Sequence, residues 1–223
     1  MPGRTSFRAA AVIGSILLLA GCDDERAPEA QAPAAKPAVA SPTPAPAAKP
    51  AAKPDPTIGL AVVKTIELRE WSSEAPAYTN TVSLEQGTEG QDKPLTIAFS
   101  AGEKDKSAVR KALGTLAVPA GGMLVLKVTN PNSFAVPLAI AVKSGKTWTY
   151  HESERVTVAP GGKGPQQLVI DLTGSTFKSE ASQWKNSGAI SDLDQLKELQ
   201  ICIYSQKQPG EIIVNAIDIR AKP

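Results

Sequence analysis

Met123-Leu124-Val125-Leu126-Lys127-Val128-Thr129-Asn130-Pro131-Asn132-Ser133-Phe134-Ala135-Val136-Pro137-Leu138-Ala139-Ile140-Ala141-Val142 is the stretch on which the fold class turns. Two apolar runs, 123–128 and 136–142, flank the polar link 129–133. Both runs are short, apolar and rich in β-branched residues, so both read as strands. Apolar side chains at most positions predict central strands, covered on both faces. The Asn-Pro-Asn of the link favours a turn, and predicts that the two strands pair as a hairpin. Pro137 has no N–H to give, which predicts a bulge or an unpaired position in the second strand.

The same period of two recurs on either side, at 62–68, 95–99, 167–172, 199–204 and 212–219. Gly/Pro turn signals separate the runs, at Pro119-Ala120-Gly121-Gly122, Lys143-Ser144-Gly145 and Ala159-Pro160-Gly161-Gly162. Many short strands with such turns predict an all-β, antiparallel β-sandwich over residues 58–223. That length is one domain's worth of chain, enough for a real core. Helix is scarce: 191–197 fits a turn or two capped by Ser191, and 104–113 reads as either a short helix or a strand.

Residues 1–57 are different. Arg4 and Arg8 precede an apolar run at 9–20, too short to span a bilayer, that ends in Leu19-Ala20-Gly21-Cys22. This pattern resembles the lipobox of bacterial lipoproteins. The resemblance implies a signal peptide at 1–21, cleavage before Cys22, and a diacylglycerol on the Cys22 thiol with acylation of the new amine. It places the protein in the cell envelope, lipid-anchored outside the cytoplasm. Asp23 resembles the inner-membrane retention signal of enteric lipoproteins, and inner versus outer membrane stays open. The segment 22–57 is nearly all Ala, Pro and Lys, too poor in apolar side chains to offset ordering entropy. It reads as a disordered tether of polyproline character, with a reach on the order of 100 Å at ~3 Å per residue.

Charge and cysteine narrow the function. Loss of Arg4 and Arg8 leaves Lys plus Arg equal to the 22 Asp plus Glu, so there is no electrostatic case for nucleic acid. After lipidation only Cys202 remains, in an apolar run, and reads as a buried, inert thiol. A single His in the chain weighs against Ser-His, Cys-His and multi-His metal chemistry. Oligomeric state has no signature here.

From Ser107 on, the chain resembles the galactose-binding-like, carbohydrate-binding-module-type jelly rolls. The segments that carry this are 124–128 with Asn130-Pro131-Asn132-Ser133, Lys146-Thr147-Trp148-Thr149-Tyr150-His151-Glu152, Val169-Ile170-Asp171-Leu172, Phe177-Lys178 with Trp184, and the closing run 210–219. The resemblance implies a jelly roll and a polysaccharide ligand. Trp148, Tyr150 and Glu152 alternate, and so share one strand face. Flat rings stack on pyranose C–H faces while carboxylates and amides take hydroxyls. Tyr150 and Trp184 are therefore the candidate stacking rings, with Glu152, Lys178 and Gln183 as hydrogen-bonding partners. Trp148 reads either as a third ring or as core, and Trp184 either as a platform or as a lid over the core edge. Trp71 reads as buried at the sandwich edge. A structural calcium is common in this superfamily; the resemblance implies Glu67, Asp218 and Asn215 as ligands, with Glu70 nearby. Asn215 stands where the family carries Asp, and an uncharged amide weakens such a site. No pair of carboxylates stands out for glycoside hydrolysis. Two functions stay open: a non-catalytic carbohydrate-binding lipoprotein, or an envelope protein-interaction or assembly lipoprotein without a sugar ligand.

Overall fold

A computed structural model describes residues 57–223 apart from 92, 163 and 206. The signal, Cys22 and all but the last residue of the tether lie outside the described residues. The strands in order are β1 (Ala61–Thr65), β2 (Ser72–Ser73), β3 (Val82–Glu85), β4 (Leu95–Phe99), β5 (Ser107–Leu116), β6 (Met123–Thr129), β7 (Val136–Ser144), β8 (Thr149–Glu152), β9 (Val156–Val158), β10 (Gln166–Asp171), β11 (Leu196–Ile203) and β12 (Gly210–Ala221). They form two antiparallel sheets packed as a jelly-roll β-sandwich. The first runs β10-β6-β12-β4-β3, with β1 beside β4 along β12; the second runs β2-β5-β11-β7-β8, with β9 beside β8 along β7.

The core lies between the sheets. Leu124, Leu126 and Val128 of β6 face Leu138, Ile140 and Val142 of β7 across it. In two strands the inward parity changes partway. β12 points Ile212 and Val214 inward, then Ile217 and Ile219, because its register against β6 shifts between Val214 and Ala216. β11 does the same between Leu196 and Leu199, across a shift between Leu196 and Glu198. One extra residue in a strand flips every later side chain to the other face, so these shifts keep both ends of a long strand apolar inward.

Runs 123–128 and 136–142 are central strands, but they do not form a hairpin. β6 pairs with β10 and β12, whereas β7 pairs with β11, β8 and β9. The polar link is an arch that carries the chain from one sheet to the other. Asn130, 1% exposed, holds it: Nδ2 donates to the carbonyls of Phe134 (2.8 Å) and Val158 (3.0 Å), and Oδ1 accepts from the Asn132 amide (3.0 Å). Asn132 Nδ2 in turn donates to Glu211 O at 2.7 Å, at the start of β12. Apolarity on both faces marks a central strand, but it does not say which sheet the strand belongs to.

Three smaller expectations are settled. Pro137 causes no bulge; it sits in register with Thr157, one residue past the last β11 partner of β7. Of the two readings of 104–113, the strand is the one found, as β5. The 191–197 segment holds one 3₁₀ turn, Leu193–Gln195, entered through left-handed Asp192 with no side-chain cap.

Candidate functional site

The outer face of the second sheet is floored by small side chains. Ala108 on β5, Ala139 and Ala141 on β7, and Cys202 on β11 are neighbours across the ladders and at most 1% exposed. Small residues there leave room for larger ones above, and Tyr150 and Tyr204 pack on this floor. The result is a cleft of about 530 Å³, walled by Tyr78, Lys106, Tyr150, Arg155, Lys178, Trp184 and Tyr204 among others.

Glu152 organises one half of the cleft. It ends β8 opposite Ala141 and is only 1% exposed. Oε2 accepts from Lys106 Nζ (2.6 Å) and from the Tyr150 hydroxyl (2.6 Å). Oε1 pairs with Lys178 Nζ at 2.8 Å and accepts from the Tyr204 hydroxyl. Burial pushes this carboxyl up, but the four hydrogen bonds outweigh burial and hold its pKa at about 2. Burial, the neighbouring Cys202 and the Glu152 charge raise the Tyr150 hydroxyl well above its ordinary value. Tyr204 is raised in the same way, by burial first and then by its bond to Glu152. Cys202, free and buried beneath them, is pushed up to about 11, chiefly by burial. These phenols and this thiol stay protonated, and serve as donors and packing.

Cations crowd the same rings. The Arg155 guanidinium lies 3.6 Å from the Tyr204 ring centroid, and Lys106 and Lys178 each lie 5.9 Å from it. In the other half, Lys143 bridges Glu198 (2.8 Å) and Glu74 (3.7 Å), and Gln200 donates to both acids.

Trp184 reaches the cleft from the 178–190 segment. Glu152 and Lys178 bond backbone to backbone in both directions, and Phe177 and Gly188 do likewise, which pins the base of that segment. Ser182 Oγ donates to Lys185 O and accepts from the Ser179 amide, tightening the turn. Gln183 and Trp184 are both left-handed, at φ 53° and 60°, a strained conformation for side chains of that size. Trp184 is 58% exposed, its ring centroid 6.2 Å from that of Tyr150 and tilted by 45°.

Of the residues singled out in the sequence, Tyr150, Trp184, Glu152 and Lys178 come together in this cleft. Trp148 does not join them. Its left-handed backbone (φ 56°) precedes β8 and breaks the alternation, leaving the ring 51% exposed outside the cleft and outside the core. Gln183 lines a separate depression with His151, Ser179 and Lys185. Trp71 is buried and its indole donates to Glu67 O at 3.1 Å.

The implied calcium ligands are engaged elsewhere. Glu67 is paired with Arg69 at 2.8 Å, and Asp218 with Arg220 at 3.0 Å and the Thr65 hydroxyl at 2.9 Å. Asn215 sits at the β12 register shift, where its Oδ1 accepts from Thr129 Oγ1 at 2.9 Å. Glu70 lies 3.6 Å from Lys111. Among the described residues no group of three His, Cys, Asp or Glu side chains is placed to hold a metal ion, and Glu67 and Asp218 each already have an arginine partner.

Sequence reasoning missed Tyr204, Lys106, Arg155 and Tyr78. A signal existed for Tyr204: Gln200, Cys202 and Tyr204 share one face of β11, and β7 alternates large Leu138, Ile140 and Val142 with small Ala139 and Ala141. That small face asks for something above it.

No family model and no curated protein sequence matches the chain. Solved structures do. PfGH50B is similar at TM-score 0.54 and 14% identity, over 73% of this chain and 24% of that one. The agarase AgWH50C is similar at TM-score 0.52 and 12% identity, over 74% and 25%. A family 11 carbohydrate-binding module from Clostridium thermocellum aligns at TM-score 0.47 and 15% identity, over 70% of this chain and 94% of the module. The chain thus spans about a quarter of the first two proteins. At these identities the likeness shows the jelly-roll fold alone.

Proposed function

We propose that this chain is a membrane-anchored lipoprotein whose jelly-roll domain binds a polysaccharide without cleaving it. Fold alone does not name a ligand, so the cleft carries the reading. The observation that carries it is the pairing of Trp184 and Tyr150, two rings on one wall of an open cleft, with cationic and phenolic donors beside them. Rings for sugar faces next to fixed donors are the chemistry of a glycan groove. The absence of cleavage is supported by Glu152. Its carboxyl is 1% exposed and both oxygens are taken up by Lys106, Tyr150, Lys178 and Tyr204, so it is not placed to protonate a glycosidic oxygen. Anchoring rests on the lipobox at Cys22.

The test is a glycan array with polysaccharide pull-down on wild type and Trp184→Ala. Trp184 is exposed and hydrogen-bonds through backbone rather than through its indole, so the variant should melt as wild type does. Loss of one stacking ring is expected to cost ~1–3 kcal/mol, about tenfold or more in affinity. Tyr150 is a poorer probe, because its hydroxyl belongs to the buried Glu152 network. A wild type that retains no polysaccharide at varied salt and calcium moves the protein-interaction reading to first place.

A further inference from the structure

Resting on that carbohydrate-binding reading, we propose that the ligand is an acidic glycan, whose carboxylate or sulfate groups are held around Tyr204 by Arg155, Lys106 and Lys178. The argument begins with donors and acceptors. Glu152 offers about four lone-pair positions, and four donors fill them. Lys178 spends one N–H on Glu152, and Lys106 spends two, on Glu152 and on Tyr150 Oη at 2.8 Å. An ammonium has three N–H and a guanidinium five. Arg155 lies over the Tyr204 ring and, among the described residues, has no carboxylate within ion-pair distance. This half of the cleft therefore has N–H donors to spare and few acceptors. A neutral hydroxyl needs a donor and an acceptor, whereas a carboxylate or sulfate oxygen only accepts.

Charge and shape agree with this. Around Tyr204 three cations face two acids, the buried Glu152 and Asp105 at the cleft wall. A second depression of about 550 Å³ shares Asp105, Arg155 and Tyr204 with the first and adds Lys207. The two border each other at Tyr204, so a linear polymer lying over that ring would place successive units on either side of Arg155. The far half is different in kind, since Lys143 there is already held by Glu74 and Glu198. The anion subsite is thus confined to one end of the groove.

The experiment is affinity electrophoresis of the full chain in detergent. Its probes are polygalacturonate, a sulfated galactan, agarose, an uncharged mixed-linkage glucan and polyglutamate. Wild type is expected to be retarded by one or both acidic polysaccharides at least tenfold more strongly than by the uncharged ones. The stronger of the two names the anion. Arg155→Gln, an exposed position, should lower that retardation about tenfold without moving the melting temperature, and Trp184→Ala should lower it as well. Retention of uncharged polymers alone, unaffected by Arg155→Gln, overturns the acidic ligand and leaves the carbohydrate reading standing. Retention of polyglutamate equal to that of the polysaccharides overturns the proposal as simple ion exchange. Retention of none of the polysaccharides overturns both readings.

Discussion

Glu152 ties the ionisation of one side chain to the stability of the domain. Its carboxyl is held at about 2 against an ordinary 4.5, so it stays charged in the folded state at pH values where the unfolded chain takes up a proton. A carboxyl with a lowered folded pKa contributes stability that is present above the unfolded value and is lost as pH falls through the folded one. The window is therefore from pH 4.5 down to about 2, and the gap corresponds to about 3 kcal/mol. His151 adds an earlier loss. Burial lowers its pKa, with Asp192 partly opposing, so below pH 6.5 the unfolded chain takes up a proton that the folded one resists. Urea unfolding across pH 2 to 8 should show both limbs. His151→Gln should remove the upper limb, and Glu152→Gln the lower. Glu152→Gln should also cost about 3 kcal/mol or more at pH 7, because Lys106 and Lys178 lose their counter-charge in a largely buried place. A Glu152→Gln variant as stable as wild type at pH 7 would count against the central role given to this carboxylate.

The arch between β6 and β7 shows how much a strand pattern tells. Period two and Gly/Pro punctuation placed most of the strands, because alternation is a property of each run by itself. Pairing is not local: residues 123–128 and 136–142 look alike because each is the middle of its own sheet. The parity flips at Asn215 and Lys197 were hidden for a related reason, since a bulge shows only when two strands are laid side by side. The cleft was legible at Tyr150 and Glu152, which lie two apart on one strand, and at Trp184, an aromatic set in a polar stretch. It was not legible at Lys106, Arg155 and Tyr204, which come from separate parts of the chain and meet only in the folded sheet. Asn130 is the element's own test. Asn130→Ala leaves the carbonyls of Phe134 and Val158 without their donor inside the arch, at an expected cost of about 2–3 kcal/mol. Asn130→Asp keeps the acceptor for Asn132 but loses both donors, so it should be comparably destabilised. An exposed turn with no such role would tolerate either change within about 0.5 kcal/mol in urea unfolding.

At the scale of the whole molecule, the proposed function divides the work between a lipid on Cys22, a long Ala/Pro/Lys segment and a folded domain. A domain that binds an immobile polymer gains from being held near it. A second attachment raises effective concentration only if the linker can span the gap. An extended tether of that length, with a reach on the order of 100 Å, would let the cleft sample a shell around the proposed anchor rather than one spot on the bilayer. In the proposed scheme two or three acyl chains, at about 0.8 kcal/mol per buried methylene, would hold the other end. Cys22→Ser should then abolish lipid labelling and leave the precursor uncut, while the melting temperature of the domain and its retardation by polysaccharide stay at wild-type values. Limited elastase treatment of the anchored protein should cut the Ala-Ala bonds at Ala34, Ala47 or Ala51 and release a stable fragment beginning a few residues before Thr57 that no longer sediments with membranes. Acyl-labelled, membrane-bound protein from the Cys22→Ser gene would remove the anchor from this scheme. Resistance of all three Ala-Ala bonds to elastase would mean that the segment is docked and the cleft is held at a fixed place.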